Sequence, residues 1–123
     1  MESNEILKEL RKFKGTATYY KHLFPGKSPI YLTDGCKYIR DHLNANWLFD
    51  QIVKCQDSFL LKGINFQIWT IKQNRKNLTW WLTCMNAKDE NVILHIPVEL
   101  SDIQIDYLMI WIIGATALLP TEY

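Results

Sequence analysis

The sequence has little of what most small-protein chemistries require. Its three cysteines, Cys36, Cys55 and Cys84, form an odd set with no C-x-x-C spacing. That argues against a disulfide framework and a structural zinc site, and fits free thiols in a reducing cytoplasm. The glycines, at 15, 26, 35, 63 and 114, never cluster, so no loop offers the run of close amides that cradles a phosphate. His22, His42 and His95 show neither H-E-x-x-H nor H-x3–5-H spacing, and no metal or other cofactor is expected. There is no G-x-S-x-G, and no cysteine stands in a nucleophile's signature context. The longest apolar run near the C-terminus is Tyr107 to Ile113, seven residues, where a membrane helix needs about 20. Met1-Glu2-Ser3-Asn4-Glu5 has neither the basic start nor the apolar stretch of a signal peptide. The expectation is a cytoplasmic protein with no membrane association. A net charge of +1 disfavours both a strongly basic nucleic-acid binder and an acidic tail protein.

What is present is a globular composition. In 123 residues, 48% are hydrophobic and 22% charged, which suits one domain and argues against disorder. Five Trp, six Tyr and five Phe make up 13% of the chain. Each ring buries about 150–250 Å², and a domain of this size buries only about two-thirds of its unfolded surface. Some rings must therefore fill the core, and a few are free to lie at a binding face.

Periodicity predicts short helices followed by strands. Over 3–13, Ile6, Leu7, Leu10 and Phe13 fall on one helical face behind a Ser3 cap. Thr16 to Leu23 is ambiguous, and Phe24 to Pro29 reads as a loop. A helical hairpin is expected over 33–57. Thr33 caps its first helix, Asp34 opposes the dipole, and Asn44 or Asn46 marks the junction. Its second helix carries Trp47, Leu48, Ile52 and Cys55 as the apolar stripe. From Ile64 the period becomes two, giving a β-meander over 64–96, closed by Pro97, and a C-terminal β-hairpin over 103–119 turning at Gly114. A helix over 103–113 is the competing reading. The fold expected is α+β, with N-terminal short helices packed on a mostly antiparallel sheet of about five strands.

Charge divides along the chain. Residues 1–85 hold 13 Lys and Arg against seven Asp and Glu, and residues 86–123 hold Lys88 against six acids. Either the two segments attract each other within the fold, or the surface is bipolar and suited to docking.

Several strings resemble a known family. They are Thr16 with Tyr19-Tyr20, then Tyr31-Leu32-Thr33-Asp34-Gly35-Cys36-Lys37-Tyr38, Trp47-Leu48-Phe49-Asp50, Phe66-Gln67-Ile68-Trp69, and Leu118-Leu119-Pro120-Thr121-Glu122-Tyr123. Together, from about residue 15 to the C-terminus, they look like an uncharacterised family of small bacterial proteins that accompany plasmids, phages and other mobile elements. This chain departs from the family's pattern at Leu32 and Thr121. The resemblance implies a domain extent and a genomic habit, and transfers no catalytic residues.

Among chemical constellations, Asp50 with Glu122 is one acid/base pairing to consider, and Asp34, Tyr38, Asp50 and Gln67 are a second enzymatic set. Lys72, Arg75 and Lys76 beside Trp69, Trp80 and Trp81 suit a single-stranded nucleic acid, through backbone attraction and base stacking. The adjacent pair Trp80-Trp81 points elsewhere. Strand alternation sends the two indoles to opposite faces, and one core cannot take both unless something covers the second face. Tyr and Trp are also the anchors of protein interfaces. The expectation is a non-enzymatic binding protein whose partner-binding residues are Trp69, Lys72, Arg75, Lys76, Trp81, Tyr38 and Asp50. Its expected partner is a protein, a host or defence factor if the mobile-element habit holds, which it inhibits or modulates. Nucleic acid bound by the 69–81 hairpin is the alternative, and a homodimer is an option.

Overall fold

The computed structural model describes residues 3–16, 18–74, 79–98 and 107–123. Three helices are present in this part: α1 (Ser3–Leu10), α2 (Asp34–His42) and α3 (Asn46–Gln56). The strands are β1 (Tyr20–His22), β2 (Ile30–Leu32), β3 (Phe66–Asn74), β4 (Thr79–Asn86), β5 (Val92–Val98), β6 (Tyr107–Ile113) and β7 (Thr116–Leu118). They form one sheet in the order β1-β2-β7-β6-β3-β4-β5. β2 and β7 run parallel, and the other neighbours run antiparallel.

This corrects the expected sheet of about five mostly antiparallel strands. The chain is α+β, but its sheet has seven strands and is mixed. The additional strands, β1 and β2, have three residues each, too few for an alternating pattern to register. Their pairing depends on distant chain. Tyr31 N–H donates to the Ala115 carbonyl at 2.8 Å and Thr33 N–H to the Ala117 carbonyl at 3.1 Å. A segment in the first third of the sequence thus becomes the neighbour of the last strand. β5 runs through Pro97 to Val98, which an edge strand allows because the missing N–H faces no partner. The expected residues 75–78 and 103–106 lie outside the described part.

Local signals set the helix ends. Thr33 caps α2 by accepting from Cys36 N–H at 3.4 Å. Asn44, at φ 55°, stops the helical path in the left-handed region, and α3 starts two residues later. α1 ends at Leu10, short of the expected residue 13, and Phe13 packs on Tyr38 with ring centroids 5.5 Å apart.

Alternation then decides which strand residues enter the core. Gln67, Trp69 and Ile71 of β3 share a face with Leu82 and Cys84 of β4 and with Leu108, Ile110 and Ile112 of β6, and all are buried. Phe49, Ile52 and Val53 of α3 and Cys36 and Ile39 of α2 join the same apolar cluster. The one fully buried side-chain amide among the described residues is satisfied. Gln67 Oε1 accepts from Trp69 Nε1 and from Gln56 Nε2, both at 2.9 Å, and Gln67 Nε2 donates to Gln56 Oε1 at 3.0 Å and the Ile64 carbonyl at 3.2 Å. Two exchanged bonds between Gln56 and Gln67 therefore tie the end of α3 to the sheet, without the penalty of an unpaired buried amide.

Candidate functional site

The opposite face of the sheet is built differently. From β3 to β6, none of its described residues is buried. Cross-strand register arranges them in rows. Lys72 lies between Trp81 and Tyr107, Thr70 between Thr83 and Met109, and Ile68 between Met85 and Trp111. From β3 to β6, Lys72 is the sole Lys, Arg, Asp or Glu among the described residues of this face, and Lys21 of β1 lies on the same side at the far edge of the sheet.

Aromatic groups mark its two ends. On the β4–β5 side the Trp81 and His95 rings stack at 4.2 Å and 2°. The His95 Nδ1 lies 2.9 Å from Thr83 Oγ1, which fixes the imidazole over the indole. On the β6 side Phe66, Trp111 and Tyr123 are in mutual contact. Their centroids are 5.3 Å apart for Phe66–Trp111, 5.5 Å for Trp111–Tyr123 and 6.2 Å for Phe66–Tyr123. Trp111 Nε1 is buried without a hydrogen-bond partner, and Tyr123 is 79% exposed. Covering such surface is favourable by about 25 cal/mol per Å² of apolar area.

The structure sorts the expected site residues. Lys72 and Trp81 are cross-strand neighbours on the open face. Trp69 is 1% exposed, inside the core with its N–H bonded to Gln67. Arg75 and Lys76 lie outside the described residues. Tyr38 is on α2, between Phe13 and His42. Asp50 is on α3, engaged with His22 and Asn46. Tyr38 and Asp50 thus belong to the helical side. Met109, Trp111, Phe66, Tyr123 and His95 complete the open face and were not singled out from sequence. The Trp80-Trp81 pair was the available signal, since Trp80 is buried and Trp81 lies on the other side.

Glu122 and Asp50, paired as an acid/base candidate, are held in separate hydrogen-bond networks, and Gln67 of the second set is inside the core. Glu122 is spent on structure. Its Oε1 accepts from Thr33 Oγ1 at 2.6 Å and Leu119 N–H at 2.9 Å, and its Oε2 accepts from Gly35 N–H at 3.1 Å. A carboxylate at the start of α2 satisfies free first-turn amides and meets the positive end of the dipole. A Cβ at Gly35 would come within 2.5 Å of Leu119 Cδ1 and 2.7 Å of Glu122 Oε1. The strings Thr33-Asp34-Gly35 and Leu119 to Glu122 are therefore two halves of one latch. It ties the C-terminal segment to α2.

Asp50 serves a second structural network. His22, 3% exposed, has its Nε2 2.7 Å from Asp50 Oδ1 and its Nδ1 3.5 Å from Arg40 Nη1. A guanidinium only donates, so Nδ1 is the acceptor and Nε2 carries the proton given to Asp50. Asn46 Nδ2 donates to Asp50 Oδ2 at 3.2 Å. This network pins β1 to α2 and α3. Arg40 also donates from Nε to Asp41 Oδ1 at 2.9 Å, and that bond holds the Asp41 carboxyl below its usual range. Among the described residues, the ion pairs all join positions within 9–57, so none links the basic and acidic segments.

The three thiols are free. Burial pushes Cys84 up to about 12, and it pushes Cys36 and Cys55 up as well. Among the described residues, no group of three or more His, Cys, Asp or Glu is placed to hold a metal ion, and no helix is long and apolar enough to cross a membrane. A family model, described as a family of unknown function, matches residues 4–123. No curated protein and no solved structure matches the chain.

Proposed function

The chain belongs to that family, DUF6876, and we propose that it acts by binding, without catalysis, through the open face of its sheet. The partner is a protein. One observation carries this reading: Trp81, Met85, Ile68, Met109 and Trp111 form a partly buried apolar band across three hydrogen-bonded strands, with Lys72 as the lone formal charge of those three strands' described residues on this side. Interface cores are depleted in charge and enriched in Trp, Tyr and Met, and a sheet presents them already ordered, which lowers the entropic cost of association. The resemblance to proteins of mobile elements makes a host or defence protein in the cytoplasm the partner to seek. The mode of action is inhibition by covering that partner's working surface. Free thiols agree with the compartment.

A second reading has its own observation. Lys72 sits beside the Trp81–His95 stack, a pairing of cation and ring that suits single-stranded nucleic acid. Gel shifts of oligonucleotides at low salt, lost on Arg75→Glu/Lys76→Glu, would favour it over the protein reading.

The direct test is a photo-crosslinking amino acid placed at Thr83 of the open face, or at Lys62 on the surface beyond α3, in the cell that makes the protein. Adducts of one defined protein at Thr83 and none at Lys62 are expected. The reverse pattern overturns the assignment of the face.

A further inference from the structure

We propose that the corner formed by Phe66, Trp111 and Tyr123 is a site for a quaternary ammonium group. The idea goes beyond the binding reading and rests on it only in that the corner lies on the same open face. Three rings from separate parts of the chain converge there. They meet at 60° for Phe66–Trp111, 72° for Trp111–Tyr123 and 46° for Phe66–Tyr123. No pair is stacked, so the rings stand as walls set at angles to one another. The face of an aromatic ring carries the negative lobe of its quadrupole and attracts a cation within about 6 Å, tryptophan most strongly.

The charge and hydrogen-bond inventory narrows the class of cation. The described lysine-on-ring contacts lie elsewhere, Lys37 over Tyr20 and Lys54 over Phe24, so no lysine of those two contacts fills the corner. A primary ammonium brings three N–H donors that need acceptors. The nearest carboxylate in sequence, Glu122, is already held by Thr33, Leu119 and Gly35. Trp111 Nε1 is buried, so a ligand arriving from solvent meets the carbon of the indole. A trimethylammonium group needs no acceptor. It offers methyl groups to the ring walls and a diffuse positive charge to their faces. Two sources carry this chemistry, a small choline-like molecule and a trimethylated lysine of a protein partner.

The test uses the full chain and follows the Trp111 indole N–H resonance, assigned through Trp111→Phe. The probes are choline, its neutral carbon isostere 3,3-dimethyl-1-butanol, and one short peptide with either trimethyllysine or plain lysine. Choline is expected to bind at roughly millimolar Kd, and the isostere about 5-fold more weakly, from the size of a cation–π contact. Tyr123→Ala, at an exposed position that leaves the core intact, should weaken choline about 2- to 5-fold, and Tyr123→Phe should not. Tighter binding of the trimethyllysine peptide than of choline, with plain lysine much weaker, assigns the cation to a protein; the opposite order assigns it to a small molecule. Equal binding of choline and its isostere, no shift with any probe, or full binding by Tyr123→Ala overturns the proposal. If that happens while the Thr83 crosslink persists, the ammonium site falls and the binding face stands.

Discussion

The two faces of one sheet carry the same kinds of side chain to different ends. Trp69 and Trp111 sit one residue off in register on adjacent strands, since Trp69 pairs with Ile110 and Ile68 with Trp111. Trp69 points under α3, is 1% exposed and has its N–H bonded to Gln67. Trp111 points the other way, partly buried, with its N–H unpartnered. The helix-covered face is closed by packing and by the Gln56–Gln67–Trp69 network, although Trp47 Nε1 on α3 is also buried without a partner. The other face keeps Ile68, Trp81, Met85, Met109 and Trp111 only partly buried, with no helix of the described residues in the core cluster on that side. Ring content alone does not make a core; what packs on the rings decides.

The comparison can be broken first through stability. Trp69→Ala should cost about 3–5 kcal/mol in urea unfolding, the range for truncating a well-packed indole. Trp81→Ala should cost less, about 1–2 kcal/mol, because that ring is only partly buried. Equal losses would mean that the open face is as well packed as the core. The covered face also holds thiols that the other lacks, and alkali should find them. Cys84 and Cys36 have pKa values raised by burial, so both stay protonated in the fold when an unfolded chain would ionise near its ordinary 9.0. Their contribution is whole below pH 9 and is lost as the pH climbs toward 12. The slope should be about 1.4 kcal/mol per pH unit for each thiol. Chemical denaturation between pH 8 and 10.5 measures it, and Cys84→Ser should flatten the slope, by about 1 kcal/mol per pH unit at most. Next in size is the latch. Gly35→Ala forces Leu119 and Glu122 aside, and Glu122→Gln turns an acceptor facing Gly35 N–H into a donor in one of its two amide orientations. Each should cost about 1–3 kcal/mol, and the two losses should not add, since both break one contact set. Additive losses would separate the two motif strings.

Much of the architecture was legible because periodicity reports burial. Leu82 and Cys84 against Trp81 and Thr83 on β4 gave both the strand and its two faces. Thr33 gave the start of α2. β1 and β2 were not legible, because three-residue strands depend on partners that are distant in sequence, Thr116 to Leu118 for β2. The site was half legible. Trp80-Trp81 announced a second face, and Lys72 came with it. Trp69 read as a surface candidate because its hairpin position says nothing about which side α3 covers. Tyr123 was silent, since a ring at a chain end has no period; it joins the site through contacts with Phe66 and Trp111.

The smallest expected effect on stability belongs to the substitutions that matter most for function. Thr70→Glu or Thr70→Lys places one charge in the middle row of the open face, beside Thr83 and Met109, and should change unfolding by about 1 kcal/mol or less. Calorimetric titration of either Thr70 variant with the protein captured at Thr83 tests the account most directly. At least about a 10-fold loss of affinity with little change in melting temperature is expected; affinity equal to that of the unaltered chain would contradict it.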